Sequence, residues 1–429
     1  MILKFNSRIN IFLTGLLAFC IPIYPDVLPP LIILLVLNWL LNPKMIVSGL
    51  IKLSKNYCLM LLAGIYILYL IGMLYSDNQG TGNEIIETKL SLLIFPLLLP
   101  AYDQNNRDNL NSYLEKFIYG CIAAALICFS WAAYCYFKPY YLMVDGKPTD
   151  LGASYFYYTR LSAFIHPSYI ALYCDFALGA LFYLISINRI KFSLKWCLVS
   201  IFLSIFVLLL SSKAGWIGLF LTIVYVSGWL LLKRKIVPAI LVISFFIGSF
   251  VFFNVLAPSF SQRITAVAQT IHTATDGEAQ KLNKSNDGTA SRILVWEAGL
   301  EIIKDNFWTG VGTGDAKDVM VEKYKEKNMM KEYELRLNSH NQFLNTFIAL
   351  GVVGFICLTL CLVVPFVQGY KQRYFLFPAF VFMLAVNFLF ESMLETQAGV
   401  IFSAFFYSLL CFSNSPSNSK SEILNSSTV

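Results

Sequence analysis

His340 is one of only three histidines in the sequence. It stands at the mouth of a long apolar run, SHNQFLNTFIALGVVGF, residues 339–355. An imidazole changes protonation near neutral pH, which is what a general base needs. Ser339, Asn341, Gln342 and Asn345 make the surrounding helix start polar. Lipid does not favour such a helix start, so these side chains are expected to face protein or a water-filled cavity. Fixed cations accompany the base. Arg292 sits in the first turn of an amphipathic segment, and Lys213 lies in the tight turn SSKAGW between two apolar runs. Glu391 and Glu395, in ESMLE, stand where membrane topology gives acids no use, which calls for a partner such as Arg292, Lys213 or Lys89. A base with several fixed cations suits an anionic, lipid-linked substrate. A diphosphate held by Arg and Lys is a good leaving group, because the cations offset the charge that builds as the bond breaks.

Each of these residues also has a plainer reading. Arg292 is then a surface arginine, Lys213 a snorkelling lysine, His340 an interfacial histidine bound to backbone or water, and Glu391 part of a solvated turn. His166, in FIHPSY, precedes Pro167 at a helix start, where proline is normal. A structural or secondary substrate role fits it. His272 lies in polar sequence and reads as solvated. Gly310, Gly312 and Gly314 resemble a phosphate loop only superficially. No strand precedes them, no Lys-Ser/Thr follows, and they end a helix, so a glycine-rich turn is the better reading.

The elements that must position these residues follow from composition. The 429 residues are 57% hydrophobic and 13% charged, with a mean hydropathy of +0.65. That much apolar surface points to an all-α polytopic membrane protein. Runs long enough for the hydrocarbon core give about twelve spans: 9–24, 27–43, 57–76, 85–101, 117–137, 167–187, 193–211, 214–232, 236–257, 341–368, 374–390 and 395–413. The fourth carries Glu84, Glu87 and Lys89 near its start, and a charge at depth usually faces a cavity or partner. Lys4 and Arg8 precede the first run with no small-residue cleavage site after it, which reads as a retained helix.

Lys and Arg at 44–55, 107–116, 189–195, 233–235 and 371–373 collect on one side of the membrane. Lys138, Lys147, Arg160 and Lys213 are left on the other. The bias places both termini in the cytoplasm and segment 258–339 outside. The net charge of +7 is then mostly topology and does not argue for nucleic acid. The expected organisation is helices one to nine over 1–257, an outer loop with amphipathic helices over 258–339, helices ten to twelve over 340–413, and a disordered tail over 414–429. In the loop, Ile293, Trp296, Leu300 and Ile303 recur at helical spacing, and a charged helix is expected from Asp315 to about Glu334. The ten cysteines fall almost entirely inside predicted helices, and Cys357 and Cys361 read as apolar packing rather than metal ligands.

These features resemble the O-antigen ligase and polymerase superfamily of bacterial membrane glycosyltransferases, the ligase branch most. A histidine motif at a helix start is matched by His340-Asn341-Gln342-Phe343-Leu344. An Arg-x-x-x-Trp helix is matched by Arg292 to Trp296, followed by the turn Gly310-Val311-Gly312. A short basic turn is matched by Ser212-Lys213-Ala214-Gly215-Trp216, and the topology has one long outer loop. Lys213 departs from the family's usual arginine, which keeps the charge but puts a two-pronged phosphate contact in doubt.

The resemblance implies a GT-C-like enzyme of the bacterial inner membrane whose active site faces the periplasm. It would move a glycan from undecaprenyl diphosphate to a lipid A-core sugar by inverting attack, without cofactor or metal. His340 would be the base, Arg292 and Lys213 would hold the diphosphate with Lys89 a weaker candidate, and Glu391, Asn341, Trp296 and His166 would orient or support. A polymerase joining lipid-linked repeats is the nearest alternative. A transporter fits less well, since no inverted repeat is visible and the polar residues gather at one face rather than the midplane.

Overall fold

The structure is a computed structural model that describes residues 2–102, 107–137, 142–144, 147–149, 152–162, 164–232, 234–256, 288–372 and 375–413. The expectations for 257–287, His272 among them, and for the tail 414–429 lie outside the described residues, as do Lys138, Lys233 and Arg373.

Helix α1 spans Ile2–Cys20, α2 Leu28–Leu40 and α3 Pro43–Ser54. A residue before proline is pushed out of the helical region. Asn42 accordingly has φ −130° and ψ 89°, and the chain bends by 105° between Pro25–Leu40 and Pro43–Ser54. The sequence reading had given α3 no element of its own. Helix α4, Tyr57–Met73, starts on Asn56, whose side chain accepts a hydrogen bond from Cys58 N at 3.1 Å. The expected span 85–101 is corrected. It is two helices, α5 over Gln79–Lys89 and α6 over Ser91–Tyr102, because the α5 half is polar and ends on a fully buried lysine.

Next come α7 (Arg107–Phe137) and a hairpin of β1 (Leu142–Val144) and β2 (Lys147–Thr149) with Met143 opposite Pro148. This hairpin is a small exception to the expected all-α class. Then follow α8 (Tyr158–Leu161), α9 (Pro167–Ser186), α10 (Leu194–Leu209), α11 (Lys213–Leu232) and α12 (Ile236–Leu256). After the undescribed stretch come α13 (Gly288–Asp305), α14 (Ala316–Glu326), α15 (Met330–Glu334), α16 (Gln342–Lys371), α17 (Leu376–Phe390) and α18 (Gln397–Ser413). The single charged helix expected from Asp315 to Glu334 is two, α14 and α15, split where Asn328 takes φ 56°. Asn tolerates that left-handed conformation better than most residues.

Among the described residues, four helices are long and apolar enough to cross a membrane: α7, α9, α11 and α16. The count is five if the bent pair forms one span. Others are shorter; α4, at 17 residues, rises only about 26 Å. Helix α9 is the central post, with 83% of its apolar window buried against 39–44% in the other three long spans. Aromatic side chains fill the space around it. The Tyr173 ring lies 4.3 Å from Phe402, and the Phe176 ring lies 4.8 Å from Phe406 and 4.9 Å from Phe380.

Helix α16 is broken at Gly351, which adopts φ 62° and ψ −160°. A break inside an apolar helix leaves backbone groups without partners, which lipid cannot supply. The turn after α13 supplies them. Val311 N donates to Ile348 O at 2.9 Å, Gly312 N to Ala349 O at 3.0 Å, and Val352 N donates back to Phe307 O at 2.9 Å. Gly310 has φ 68°, and a Cβ there would stand 2.6 Å from the Ala349 carbonyl. The glycines thus serve a backbone clasp that fixes the segment between α13 and α14 to α16.

Candidate active site

Arg292 and Trp296 lie one turn apart on α13 and reach toward α16 and α17. The apolar face of α13, with Leu294, Val295, Ala298 and Ile302 buried, packs on α16. A Cβ on Gly299 would stand 2.8 Å from Leu344, so the two helices approach closely there. Trp296 Nε1 donates to Ser339 O at 2.9 Å, holding the strand of chain that leads into His340.

His340 sits just before α16 with φ 44°. Its amide donates to Asn338 Oδ1 at 2.9 Å, and Asn341 caps α16 by accepting from Leu344 N at 3.0 Å. A non-glycine residue held left-handed is costly, and such strain concentrates at functional sites. Ser339 Oγ donates to Asn341 O at 2.8 Å. Ser392 Oγ closes the turn, 3.2 Å from Ser339 Oγ and accepting from Asn341 N at 3.2 Å.

Glu391 is the hub. It follows α17 in extended conformation. Arg292 Nη2 donates to its Oε1 at 2.8 Å, and Ser168 Oγ donates to the same oxygen at 3.1 Å. His340 Nδ1 lies 3.4 Å from Oε2, the long end of hydrogen bonding. The Glu391 side chain is 8% exposed, Arg292 21% and His340 31%, so the cluster opens on the histidine's side. Burial works against the Glu391 charge. The His340 bond and the charges of Arg292 and His166 outweigh it and hold the carboxyl below its ordinary value. No partner reaches His340 Nε2 among the described residues.

His166 caps α9, its Nδ1 accepting from Ser168 N at 3.4 Å. Burial lowers its basicity. The Glu391 charge works the other way, while His340 and Arg292 add to the lowering. It belongs to the cluster through these charges. Lys213 opens α11 and donates to Thr289 Oγ1 in the first turn of α13, three residues before Arg292. Its neighbour Ser212 donates to Ser168 Oγ at 3.1 Å, which joins the SSKAGW turn to Glu391.

The structure therefore brings together His340, Arg292, Glu391 and His166, with Lys213 at the edge and with Trp296 and Asn341 as supports. Lys89 stands apart. It is fully buried, bound to Glu395 at 2.7 Å, and lies 4.5 Å from the Tyr69 ring centroid. The partner expected for the ESMLE acids is resolved as two, Arg292 for Glu391 and Lys89 for Glu395. Sequence reasoning missed Ser168 and Ser392, and named Ser212 only as part of the basic turn, because lone serines carry no pattern. Their only signal is adjacency, each lying within two residues of a candidate. Among the described residues, no group of three or more His, Cys, Asp or Glu side chains is arranged to hold a metal ion.

Residues 198–359 match the family model described as O-antigen ligase. The resemblance read from the sequence to the ligase and polymerase superfamily holds over that segment. It contains Lys213, Arg292, Trp296, His340 and Asn341, while Lys89, His166 and Glu391 lie outside it. A Haemophilus influenzae protein described as uncharacterized is 27% identical over 173 residues, covering 39% of this chain and 41% of that protein.

Proposed function

For a chain whose residues 198–359 carry an O-antigen ligase domain, we propose a membrane glycosyltransferase that moves a glycan from undecaprenyl diphosphate to a lipid A-core sugar. The observation that carries this reading is the two-sided use of Glu391, with Arg292 on one oxygen and His340 Nδ1 facing the other. A carboxylate at Nδ1 fixes the imidazole tautomer and leaves Nε2 as the basic nitrogen.

The acceptor hydroxyl gives its proton to His340 Nε2, and its oxygen attacks the anomeric carbon. The bond from that carbon to the diphosphate oxygen breaks with inversion, and the electron pair leaves with the diphosphate. Arg292 keeps donors beyond the one spent on Glu391. With Lys213 it offsets the charge growing on the leaving group. Trp296 and Asn341 hold His340 in place, and His166 adds a polar wall. Lys89, expected as a weaker diphosphate ligand, is fully buried and bound to Glu395, so it takes no part in this step. Holding both lipids in one geometry supplies much of the rate. In this reading the enzyme sits in the inner membrane, the segment 258–339 and the cluster face the periplasm, and both termini are cytoplasmic.

The test is complementation of a ligase-deleted Gram-negative strain carrying the matching glycan genes. Wild type is expected to restore the glycan ladder on lipid A-core, and His340→Ala, present at equal level, is not. Long chains regained only in a polymerase-deleted strain replace this reading with the polymerase. Full activity of His340→Ala ends the base assignment.

A further inference from the structure

Between α17 and α18 the chain is extended at Glu391 and makes one 3-10 turn, Met393–Glu395. Three backbone hydrogen bonds support this link: Glu391 N donates to Asn387 O at 2.8 Å, Glu395 N to Ser392 O at 3.1 Å and Thr396 N to Met393 O at 3.4 Å. Its remaining polar groups are held by side chains from elsewhere. Gln342 Oε1 accepts from Leu394 N at 2.7 Å, and Gln342 Nε2 donates to Glu395 Oε1 at 3.2 Å. Lys89 Nζ donates to Leu394 O at 2.5 Å and to Glu395 Oε1 at 2.7 Å. The lysine side chain is 0% exposed, so no solvent reaches it and it has no free path to a substrate.

We propose that Lys89 is a positioning residue. By gripping Leu394 O and the Glu395 carboxylate, it sets the place of the link and so of the Glu391 carboxylate between Arg292 and His340. The proposal rests on the glycosyltransferase reading for its rate effect, but not for its geometry. A short link without a helical ladder moves when its side-chain holds are removed. The Glu391–His340 distance of 3.4 Å leaves no slack before that hydrogen bond is lost. Among the described residues, the charged and titratable groups around His340 and Glu391 are Arg292 from α13, His166 ahead of α9 and Tyr169 on α9.

The test separates position from mere charge balance. Removing Lys89 alone leaves the Glu395 carboxylate uncompensated. Lys89→Met/Glu395→Gln removes both charges together but still lacks the bond to Leu394 O. Wild type, the double variant and Gln342→Met are purified in lipid nanodiscs. His340 is probed by the rate of its carbethoxylation with diethyl pyrocarbonate at one fixed neutral pH, read on the His340 peptide by mass spectrometry. In the double variant that rate is expected to rise several-fold, as the Glu391 carboxylate moves away and no longer covers Nδ1. The kcat for transfer is expected to drop roughly 10- to 100-fold with KM little changed, the cost of a small misplacement. Gln342→Met, which loosens the other hold, is expected to shift each the same way as the double variant, by less.

A double variant with a wild-type His340 carbethoxylation rate and kcat overturns the proposal and leaves Lys89 as a counter-ion only. If the double variant does not fold, Gln342→Met decides, and a wild-type carbethoxylation rate and kcat there overturn it equally. Absence of transfer by wild type overturns the glycosyltransferase reading instead, while the His340 carbethoxylation rate still judges the role of Lys89.

Discussion

Glu391 and Glu395 lie on the same short link, yet their surroundings differ in kind. Glu395 meets Lys89, which is wholly buried, and Gln342 and the link's own backbone complete the set. Glu391 meets Arg292 and His340, which keep 21% and 31% of their side chains exposed. A buried ion pair costs desolvation and is kept for geometry more than for net stability. A half-open cluster of base and cation leaves donors and a lone pair for a partner that is not protein. The difference teaches that two acids on one link are told apart by their neighbours, and under the proposed mechanism the open one serves the chemistry and the closed one the structure.

The largest effect that tests this contrast is on the open side. His340→Ala is expected to cut transfer by roughly 10²- to 10⁴-fold, the usual worth of a positioned general base. Its melting temperature should stay near wild type, because the ring is partly exposed and its backbone contacts survive. Initial rates in nanodiscs and a melt of the same sample check both halves. On the closed side the pattern reverses. Glu395→Leu strands the Lys89 ammonium, and breaking such a buried pair costs about 3–5 kcal/mol of stability. A denaturation series is expected to show that loss before any assay of activity. If Glu395→Leu melts like wild type, the closed pair does not bear structure.

The difference between the two acids was only partly legible in the sequence. ESMLE announced two acids in need of partners, and Arg292, Lys213 and Lys89 were the candidates. Nothing in one chain says which cation meets which acid, since the pairs join residues 99 and 306 positions apart. His340 and the Arg-x-x-x-Trp helix were readable because polar residues at an apolar helix start are costly without a reason. The apolar runs were readable as helices, but their breaks were not. Asn42-Pro43 is the exception, since a proline pushes the residue before it out of the helical region. Gly351 carried no local signal, because its conformation is set by the Gly310–Gly312 turn docking on it from a distant segment. The joint at Leu90 likewise depends on Lys89 finding Glu395, a tertiary fact.

Intermediate effects sharpen the role of the Glu391 charge. Glu391→Gln keeps the size but loses the carboxylate, so transfer should fall roughly tenfold or more, as for other groups that orient a catalytic histidine. Its pH signature is specific. The Glu391 carboxyl is held below its ordinary value of 4.5 when folded. Its charge therefore adds stability above the unfolded value, and that gain is lost as pH falls through the folded value. His166, held below its ordinary 6.5, acts in the same sense, adding stability above 6.5 that fades on acidification. Melting temperature followed from pH 7 down to 4 should decline in wild type. In Glu391→Gln the part of the decline below about pH 4.5 should be missing, while the part due to His166 should grow, because without the Glu391 charge His166 is held further below 6.5.

The smallest effect is expected where ion pairs face water. Lys327 bridges Glu301 and lies 3.5 Å from Glu297, tying the chain just past α14 to the outer face of α13. These side chains are 26%, 39% and 55% exposed, so solvent screens them heavily. Lys327→Met should cost under about 1 kcal/mol, and less at high salt. Transfer should be unchanged, since neither acid touches Arg292 or His340. If Lys327→Met instead lowers the rate as much as Glu391→Gln, α13 is not held by its packing on α16 and by the clasp at Gly351. Charge on its outer face would then be steering Arg292, and the division between open and closed carboxylates would have to include a third, solvated group.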